Sequence, residues 1–311
     1  MDTRQVKLQT LLRILGTLVA FGLVIYLLSQ QGWDKIWEGI RQIPAGYFVA
    51  SIFLMMLSRT AVAMRWYTLL HSAGVKVSLW QCWKITFAGL FASNFLPTTI
   101  GGDVVRLAMA VQAGFDKVIT TASLVVDRLV GMAGMGSAAP FGFFPIYRAV
   151  YPVSEANPAP AFGLLTIVAS MPRGQALMAA GRRAMNKLWQ AVTLWMRSPR
   201  GLLLAFIYTW GHQFCIFAVN WLLFRGLGEP IPFWLAGGLW SFTYFVTLLP
   251  ISINGLGIQE LSMTFIFSHF GGVSASGAAI VALLVRTIQS LASVPGAFSL
   301  PEILSGMKNE V

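Results

Sequence analysis

One motif occurs twice in this chain, and its two copies lie half a chain apart. Leu96-Pro97-Thr98-Thr99-Ile100-Gly101-Gly102-Asp103-Val104-Val105-Arg106 stands in the first half. Leu249-Pro250-Ile251-Ser252-Ile253-Asn254-Gly255-Leu256-Gly257-Ile258-Gln259-Glu260 stands in the second. Each copy follows an apolar stretch, interrupts it with proline and glycine, and ends on a charge. Landmarks around the copies keep a near-constant offset. Gly74 and Gly228 are 154 apart, as are Trp80 and Trp234; Pro97 and Pro250 are 153 apart; Gly114 and Gly272, and Arg128 and Arg286, are 158 apart. Duplicated halves with interrupted apolar segments in matching places are the sequence pattern of a transporter-type binding site. The expectation is one integral membrane domain over 1–311, made of halves 1–150 and 151–311, with a basic connector at 172–200.

The solvent that this chain folds in follows from its composition. It is 56% hydrophobic and 11% charged, with a mean hydropathy of +0.69, whereas a soluble domain carries about a quarter charged residues. Apolar runs at 11–28, 47–66, 118–144, 158–171, 201–224 and 274–300 read as spans, against the roughly 20 residues that a bilayer requires. The fourth is short and contains Pro160. Two further runs, 80–96 and 233–249, lead directly into the repeated motifs. Cys82 and Cys215 both lie in apolar stretches and read as packing residues. The three histidines, His71, His212 and His269, have no ligand-like spacing, so neither metal nor cofactor is expected. The N-terminal charges and the apolar run after them imitate a signal peptide, but Leu28-Ser29-Gln30-Gln31 lacks a small-x-small cleavage pattern. The segment is expected to remain as the first span.

Charge sets the orientation. Between Met171 and Gly201 lie Arg173, Arg182, Arg183, Lys187, Arg197 and Arg200 with no acidic residue. This reads as a cytoplasmic loop obeying the positive-inside bias, and Trp189 and Trp195 suit an interfacial helix. No nucleic-acid recognition motif accompanies the charge, so nucleic acid is not an expected partner. With Arg4, Lys7 and Arg13 inside, the connector falls inside only if each interrupted segment turns back as a re-entrant hairpin. Both termini are then cytoplasmic. The first hairpin enters from the cytoplasm and the second from the opposite side, which makes an inverted-topology repeat. The expected fold is therefore an all-α polytopic membrane protein of about six full spans and two re-entrant hairpins. Non-helical backbone at membrane depth requires protein or water around it, so the hairpin tips should meet near the midplane around a polar cavity.

The charges in or beside apolar segments are Arg59, Lys84, Asp103, Arg106, Asp127, Arg128, Glu260 and Arg286. Arg59 and Lys84 read as residues of the inner interface, where long side chains snorkel. Asp127 and Arg128 sit deep within a span, and sequence neighbours do not face each other on a helix, so they need different partners. Arg128 and Arg286 occupy equivalent positions of the repeat and are expected to approach each other across the pseudo-symmetry axis. Asp103, Asp127 and Glu260 can supply part of the compensating charge, and an anionic head group the rest; a purely internal ion-pair network is the competing reading. Arginine suits phosphate because its planar fork holds two oxygens. Gly101, Gly102, Gly255 and Gly257 precede the returning helices, an arrangement that presents backbone N–H groups to phosphate. Asp103 and Glu260 can cap those helices or touch the substrate. Pro97 and Pro250 end the entering helices. Asn94, Thr98, Thr99, Ser252 and Asn254 can line the polar tips.

The run from Leu96 through Asp103 and Arg106, then Leu124-Val125-Val126-Asp127-Arg128, then the Pro250–Glu260 motif and Arg286, resembles the flippase-like family, also called the lysylphosphatidylglycerol synthase transmembrane region. That family forms the membrane part of bacterial multiple peptide resistance factors and also occurs as stand-alone proteins. The resemblance covers nearly the whole chain. It implies an inner-membrane protein that handles or flips anionic or glycosylated lipids, with membrane lipids as its partners. Carried over position by position, the motif residues are Pro97, Gly101, Gly102, Asp103, Arg106, Asp127, Arg128, Pro250, Asn254, Gly255, Gly257 and Glu260. The resemblance is to the membrane part and leaves the membrane step, not aminoacylation, as the expected activity.

Lipid translocation is the leading expectation. No GxxxxGK[ST] motif occurs, so direct drive by ATP is not expected. A polyprenyl-linked glycosyltransferase and a non-catalytic accessory subunit are the alternatives; no loop is long enough for a sugar-nucleotide domain. An intramembrane aspartyl protease fits poorly, because Arg128 stands beside the second aspartate. The many aromatic residues suit lipid contact and a homo-oligomer alike.

Overall fold

The computed structural model describes residues 41, 43–96, 101–142, 193, 195, 198–248 and 257–299. The expected spans at 11–28 and 158–171 lie outside the described residues, as does nearly all of the basic connector. Among the described residues there are eight α-helices and no strand. They come in two sets of four with the same order of lengths. The first set is α1 (Ala45–Ser72), α2 (Leu79–Ser93), α3 (Gly101–Gln112) and α4 (Lys117–Ala138). The second is α5 (Pro199–Gly226), α6 (Phe233–Thr247), α7 (Ile258–Phe270) and α8 (Ala275–Ser293), followed by a 3₁₀ helix over Val294–Ser299.

Local chemistry sets these boundaries. Ser78 accepts from the Gln81 N–H at 3.1 Å, Asp116 from Ile119 at 2.8 Å and Ser274 from Gly277 at 2.9 Å, so α2, α4 and α8 each begin on a side-chain cap that satisfies an orphan donor. Helices α1 and α5 end alike. Gly74 at φ 82° and Gly228 at φ 78° reverse the chain, the glycine N–H bonding to His71 or Arg225 and the next N–H to Leu70 or Phe224. This Schellman closure needs a left-handed residue, which glycine supplies without steric cost.

Among the described residues, four helical segments are long and apolar enough to cross a membrane: Ala45–Ser72, Lys117–Gly142, Pro199–Gly226 and Ala275–Ser299. They correspond to the expected spans at 47–66, 118–144, 201–224 and 274–300. Only 22% of the most apolar window of the first is buried, against 67% for the last, so α8 runs through the interior while α1 turns one face outward. Phe53, Leu57, Leu203 and Ile207 are among the exposed apolar side chains, as expected of helices that face lipid.

The most extensive contact between the two sets is α1 against α5. Its seam is polar. Ser51, Ser58 and Arg65 recur every seven residues on α1 and are buried, as are Thr209, Gln213 and Asn220 on α5. Residues seven apart share one helix face. The Ser58 hydroxyl meets His212 Nδ1 at 2.7 Å, and these two positions are themselves 154 apart. The short helices pack in pairs, α2 on α3 and α6 on α7. Gly89 and Gly102 let the first pair close up: a Cβ on Gly102 would stand 2.6 Å from the Gly89 carbonyl oxygen. The apolar core is largest in the second set, around Phe217, Phe224, Leu239, Phe267 and Val285, with a smaller cluster around Trp66, Leu70, Ile85 and Met109 in the first.

Candidate functional site

The first set of helices converges on a chain of ion pairs. Asp127 of α4 accepts from Arg65 Nε of α1 at 2.6 Å and from Arg106 Nη1 of α3 at 3.1 Å. The same Arg106 nitrogen reaches Asp103, one turn earlier, at 3.0 Å. Asp103 in turn accepts from Arg128 Nε. Asp127 and Arg128 thus serve different partners, because successive helical residues point about 100° apart. Arg65 also donates to Thr209 of α5 at 3.4 Å, which ties the cluster to the second set. The Arg106 guanidinium lies over the Trp66 ring at 4.4 Å, a cation–π contact that holds it in place. A Cβ on Gly89 would meet the Arg106 side chain at 2.5 Å, so the arginine stem occupies space that the glycine leaves.

Among the described residues, the second set carries one pair of the same design. Arg286 Nε of α8 donates to Glu260 Oε1 in the first turn of α7 at 2.8 Å. Glu260 Oε2 accepts from the Gly257 N–H at 2.8 Å, so this carboxylate both caps its helix and pairs with an arginine. Arg128–Asp103 and Arg286–Glu260 occupy equivalent places in the two sets. The rest of the first cluster has no such counterpart. Counting on by 154 from Arg65, by 157 from Arg106 (the separation of Asp103 and Glu260) and by 158 from Asp127 leads to Val219, Met263 and Val285, all buried and apolar.

Two cavities adjoin these pairs. The larger, about 270 Å³, is lined by Arg59, Arg128, Arg286, His212, Asn94, Trp240, Tyr244 and Gln259 among others. No carboxylate is among the described residues that line it. The smaller, about 210 Å³, is lined by Arg65, Asp103, Arg106, Asp127 and Arg128, and shares Arg128, His212 and Tyr244 with the first. Arg128 and Arg286 therefore face one cavity, each held by a carboxylate of its own set. The indole N–H of Trp240, the amide nitrogen of Gln259 and Arg59 Nε are buried and have no hydrogen-bond partner among the described residues. All three are donors, so the cavity suits an occupant rich in acceptors. Its volume is below the roughly 300–1,000 Å³ that encloses a drug-sized ligand, and suits a small polar group.

Of the sequence-derived site residues, the structure gathers Asn94, Asp103, Arg106, Asp127, Arg128 and Arg286 around the two cavities. Asn94 also donates to Ser293 Oγ at 2.9 Å, linking α2 to the end of α8. Glu260 touches the site through Arg286. Gly101 and Gly102 are the buried first residues of α3, the latter against α2. Gly257 is the N-cap of α7, at φ 78°. Pro97, Thr98, Thr99, Pro250, Ser252, Asn254 and Gly255 lie outside the described residues. Lys84 is partly exposed, its Nζ 6.0 Å from the Trp80 ring.

Sequence reasoning missed Arg65, His212, Trp240 and Gln259, and assigned Arg59 to the interface. Arg65 was hidden by the end placed at 66 for its span; the helix continues to Ser72. The seven-residue recurrence of Ser51, Ser58 and Arg65 is the signal that marks this face. His212 was legible as the position 154 beyond Ser58, but a lone histidine in an apolar run carries no spacing of its own.

The chain has relatives in sequence. A UPF0104 membrane protein of Archaeoglobus fulgidus is 21% identical over 292 aligned residues, covering 83% of this chain and 87% of that protein. The family model described as lysylphosphatidylglycerol synthase TM region matches residues 13–296. This multi-pass membrane protein accordingly belongs to the lysylphosphatidylglycerol synthase transmembrane-region family.

Proposed function

We propose that this protein moves a lipid with a phosphate-bearing, anionic head group between the leaflets of the cytoplasmic membrane, holding the head group in the cavity between its two sets of helices. The observation that carries the reading is the lining of the larger cavity. Three arginines from α1, α4 and α8 face it, with no carboxylate among the described lining residues, and its unused buried groups are all donors. Charged side chains at membrane depth mark pathways because their insertion is costly, about 2.5–3.5 kcal/mol each on translocon scales.

The element lengths support a re-entrant arrangement. Helices α2, α3, α6 and α7 have 15, 12, 15 and 13 residues, and at 1.5 Å per residue none reaches the roughly 30 Å of a hydrocarbon core. Each pair then forms a hairpin, and the positive-inside bias places the two hairpins on opposite sides. The head group binds where their tips meet, and rocking of one set against the other exposes it alternately.

The test is leaflet exchange in liposomes of phosphatidylcholine with fluorescent phosphatidylglycerol or another anionic lipid, followed by dithionite quenching. Wild-type protein should accelerate exchange of anionic lipid over phosphatidylcholine. Arg128→Ala and Arg286→Ala should each slow it by about tenfold or more, the loss expected of one charged contact. No exchange of any anionic lipid by folded wild-type protein would sink the proposal.

A further inference from the structure

Ser58 and His212 are equivalent positions of the two halves, 154 apart, and they touch: the Ser58 hydroxyl meets His212 Nδ1 at 2.7 Å. Each stands at the midpoint of a 28-residue helix, α1 or α5. These two helices run in opposite directions. A Cβ on Gly201, near the start of α5, would stand 2.6 Å from Ser72 at the end of α1, and one on Gly226 would stand 2.8 Å from Ile43, just before α1 begins. Equivalent residues of a two-fold repeat meet only where its axis passes. In the inverted arrangement proposed above, that point lies at mid-depth, equally far from both faces, where inverted-repeat transporters hold substrates and coupling ions.

The hydrogen bonds assign the proton of the ring. Nδ1 also lies 3.3 Å from the Ser58 carbonyl oxygen, and the Ser58 hydroxyl lies 3.3 Å from the His212 carbonyl oxygen. A carbonyl only accepts, so Nδ1–H donates to Ser58 and the hydroxyl donates on to the His212 carbonyl. Nε2 is then the nitrogen with the free lone pair, and it has no hydrogen-bond partner among the described residues. Ser58 is wholly buried and lines neither cavity, whereas His212 is half-buried and lines both. With Nδ1 held by Ser58, the edge of the ring that carries Nε2 is the part left to face them.

Helices α1, α4, α6 and α8 pack against α5. On the cavity walls beside His212 they carry Arg59 and Arg65, Asp127 and Arg128, Tyr244, and Arg286. Asp103 and Arg106 of α3 line the smaller cavity as well, and Glu260 of α7 is bonded to Arg286. Each of the three carboxylates already accepts from an arginine, so a proton placed on one of them breaks an ion pair. A proton placed on Nε2 breaks no bond. Histidine is also the side chain whose ordinary titration range lies near neutral pH. An imidazolium among arginines requires an anion beside it, and the head group of the proposed lipid is one.

Building on the lipid-binding reading above, we infer that His212 couples the movement of the lipid to a proton. Nε2 takes a proton from water on the loading side as the anionic head group enters, and the new N–H donates to a head-group oxygen. When the site opens to the other face, that N–H bond breaks and the proton returns to water there. The head group leaves and the ring is neutral again. One negative charge and one proton cross together. Each favours the binding of the other, by the same factor in both directions.

The whole protein in phosphatidylcholine liposomes with fluorescent phosphatidylglycerol tests this. The interior is made one pH unit more acidic than the medium, and the potential is clamped with potassium and valinomycin. Protons leaving the liposome should carry lipid to the outer leaflet, beyond any shift in protein-free liposomes. One-to-one coupling can sustain about a tenfold excess there, read as a larger dithionite-accessible fraction. In phosphatidylcholine nanodiscs near neutral pH, binding of phosphatidylglycerol should take up protons from a weakly buffered medium. His212→Gln should bind without proton uptake and should not respond to the pH difference. Should that variant fail to fold or to bind, Ser58→Ala, which removes only the hydroxyl that holds Nδ1, should still lower both effects. Proton uptake that persists in full in either variant would overturn the assignment to His212. Accelerated exchange by wild-type protein that is indifferent to the pH difference, with no proton uptake, would overturn the coupling and leave the lipid reading standing. No exchange of any anionic lipid by folded protein would overturn both.

Discussion

Asp127 accepts hydrogen bonds from two buried arginines of different helices, Arg65 and Arg106. Asp127→Ala leaves both guanidinium groups in the interior without that counter-charge, and should cost about 3–5 kcal/mol, read as a lower unfolding midpoint in detergent. The second set of helices shows how the same places are filled without charge. The triple substitution Arg65→Val, Arg106→Met and Asp127→Val copies Val219, Met263 and Val285. Replacing a buried ionic cluster by apolar residues that pack well is often neutral, so the triple variant should recover most of the stability lost by Asp127→Ala. Lipid exchange should stay low in both, and full exchange in the triple variant would show that the cluster is structural only. Asp127 and Arg128 were legible in the sequence because a charge within an apolar run is conspicuous. Their partners were not, since Arg65 lies 62 positions from Asp127 and no local pattern records a contact of that range.

Helices α1 and α5 both have 28 residues and both close on a left-handed glycine. Gly74→Ala and Gly228→Ala should each cost about 1–2 kcal/mol, the penalty of a left-handed conformation for a residue with a Cβ. Similar losses in thermal unfolding would fit equivalent turns; a loss at one turn alone would not. The α2–α3 contact makes a sharper demand. Gly102→Ala forces a methyl group into the Gly89 carbonyl and should cost about 1–3 kcal/mol, with lipid exchange falling as Arg106 shifts. The helices themselves were largely legible, since the runs at 80–96 and 233–249 are the apolar bodies of α2 and α6. Their partners were not. The tie from α2 to α8 through Asn94 and Ser293 spans 199 residues, and apolar periodicity says which face is buried but not against what.

At the scale of the molecule, the proposed inverted arrangement places equivalent turns on opposite sides of the membrane. Lys76 and Pro230 are 154 apart, in the turns before α2 and α6, and both are exposed. Both native cysteines, Cys82 and Cys215, are buried and should give little background. Lys76→Cys and Pro230→Cys should therefore react with a membrane-impermeant maleimide from opposite sides of oriented vesicles. Labelling from the same side would rule out the inverted repeat.

Among the described residues, the first set of helices carries a five-member ionic chain where the second carries one pair. An exchanger built of two equivalent parts would spend equal time open to either face. Under the proposed exchange the two parts are not equal, because the ionic chain stiffens the first set from within while the second has one such pair among its described residues. In that scheme the imbalance biases where the molecule rests when empty, and so which leaflet finds it waiting. It cannot set the direction of net movement, because a resting preference changes the forward and reverse fluxes by the same factor. Net direction belongs to the gradient of the lipid itself, or to whatever maintains that gradient.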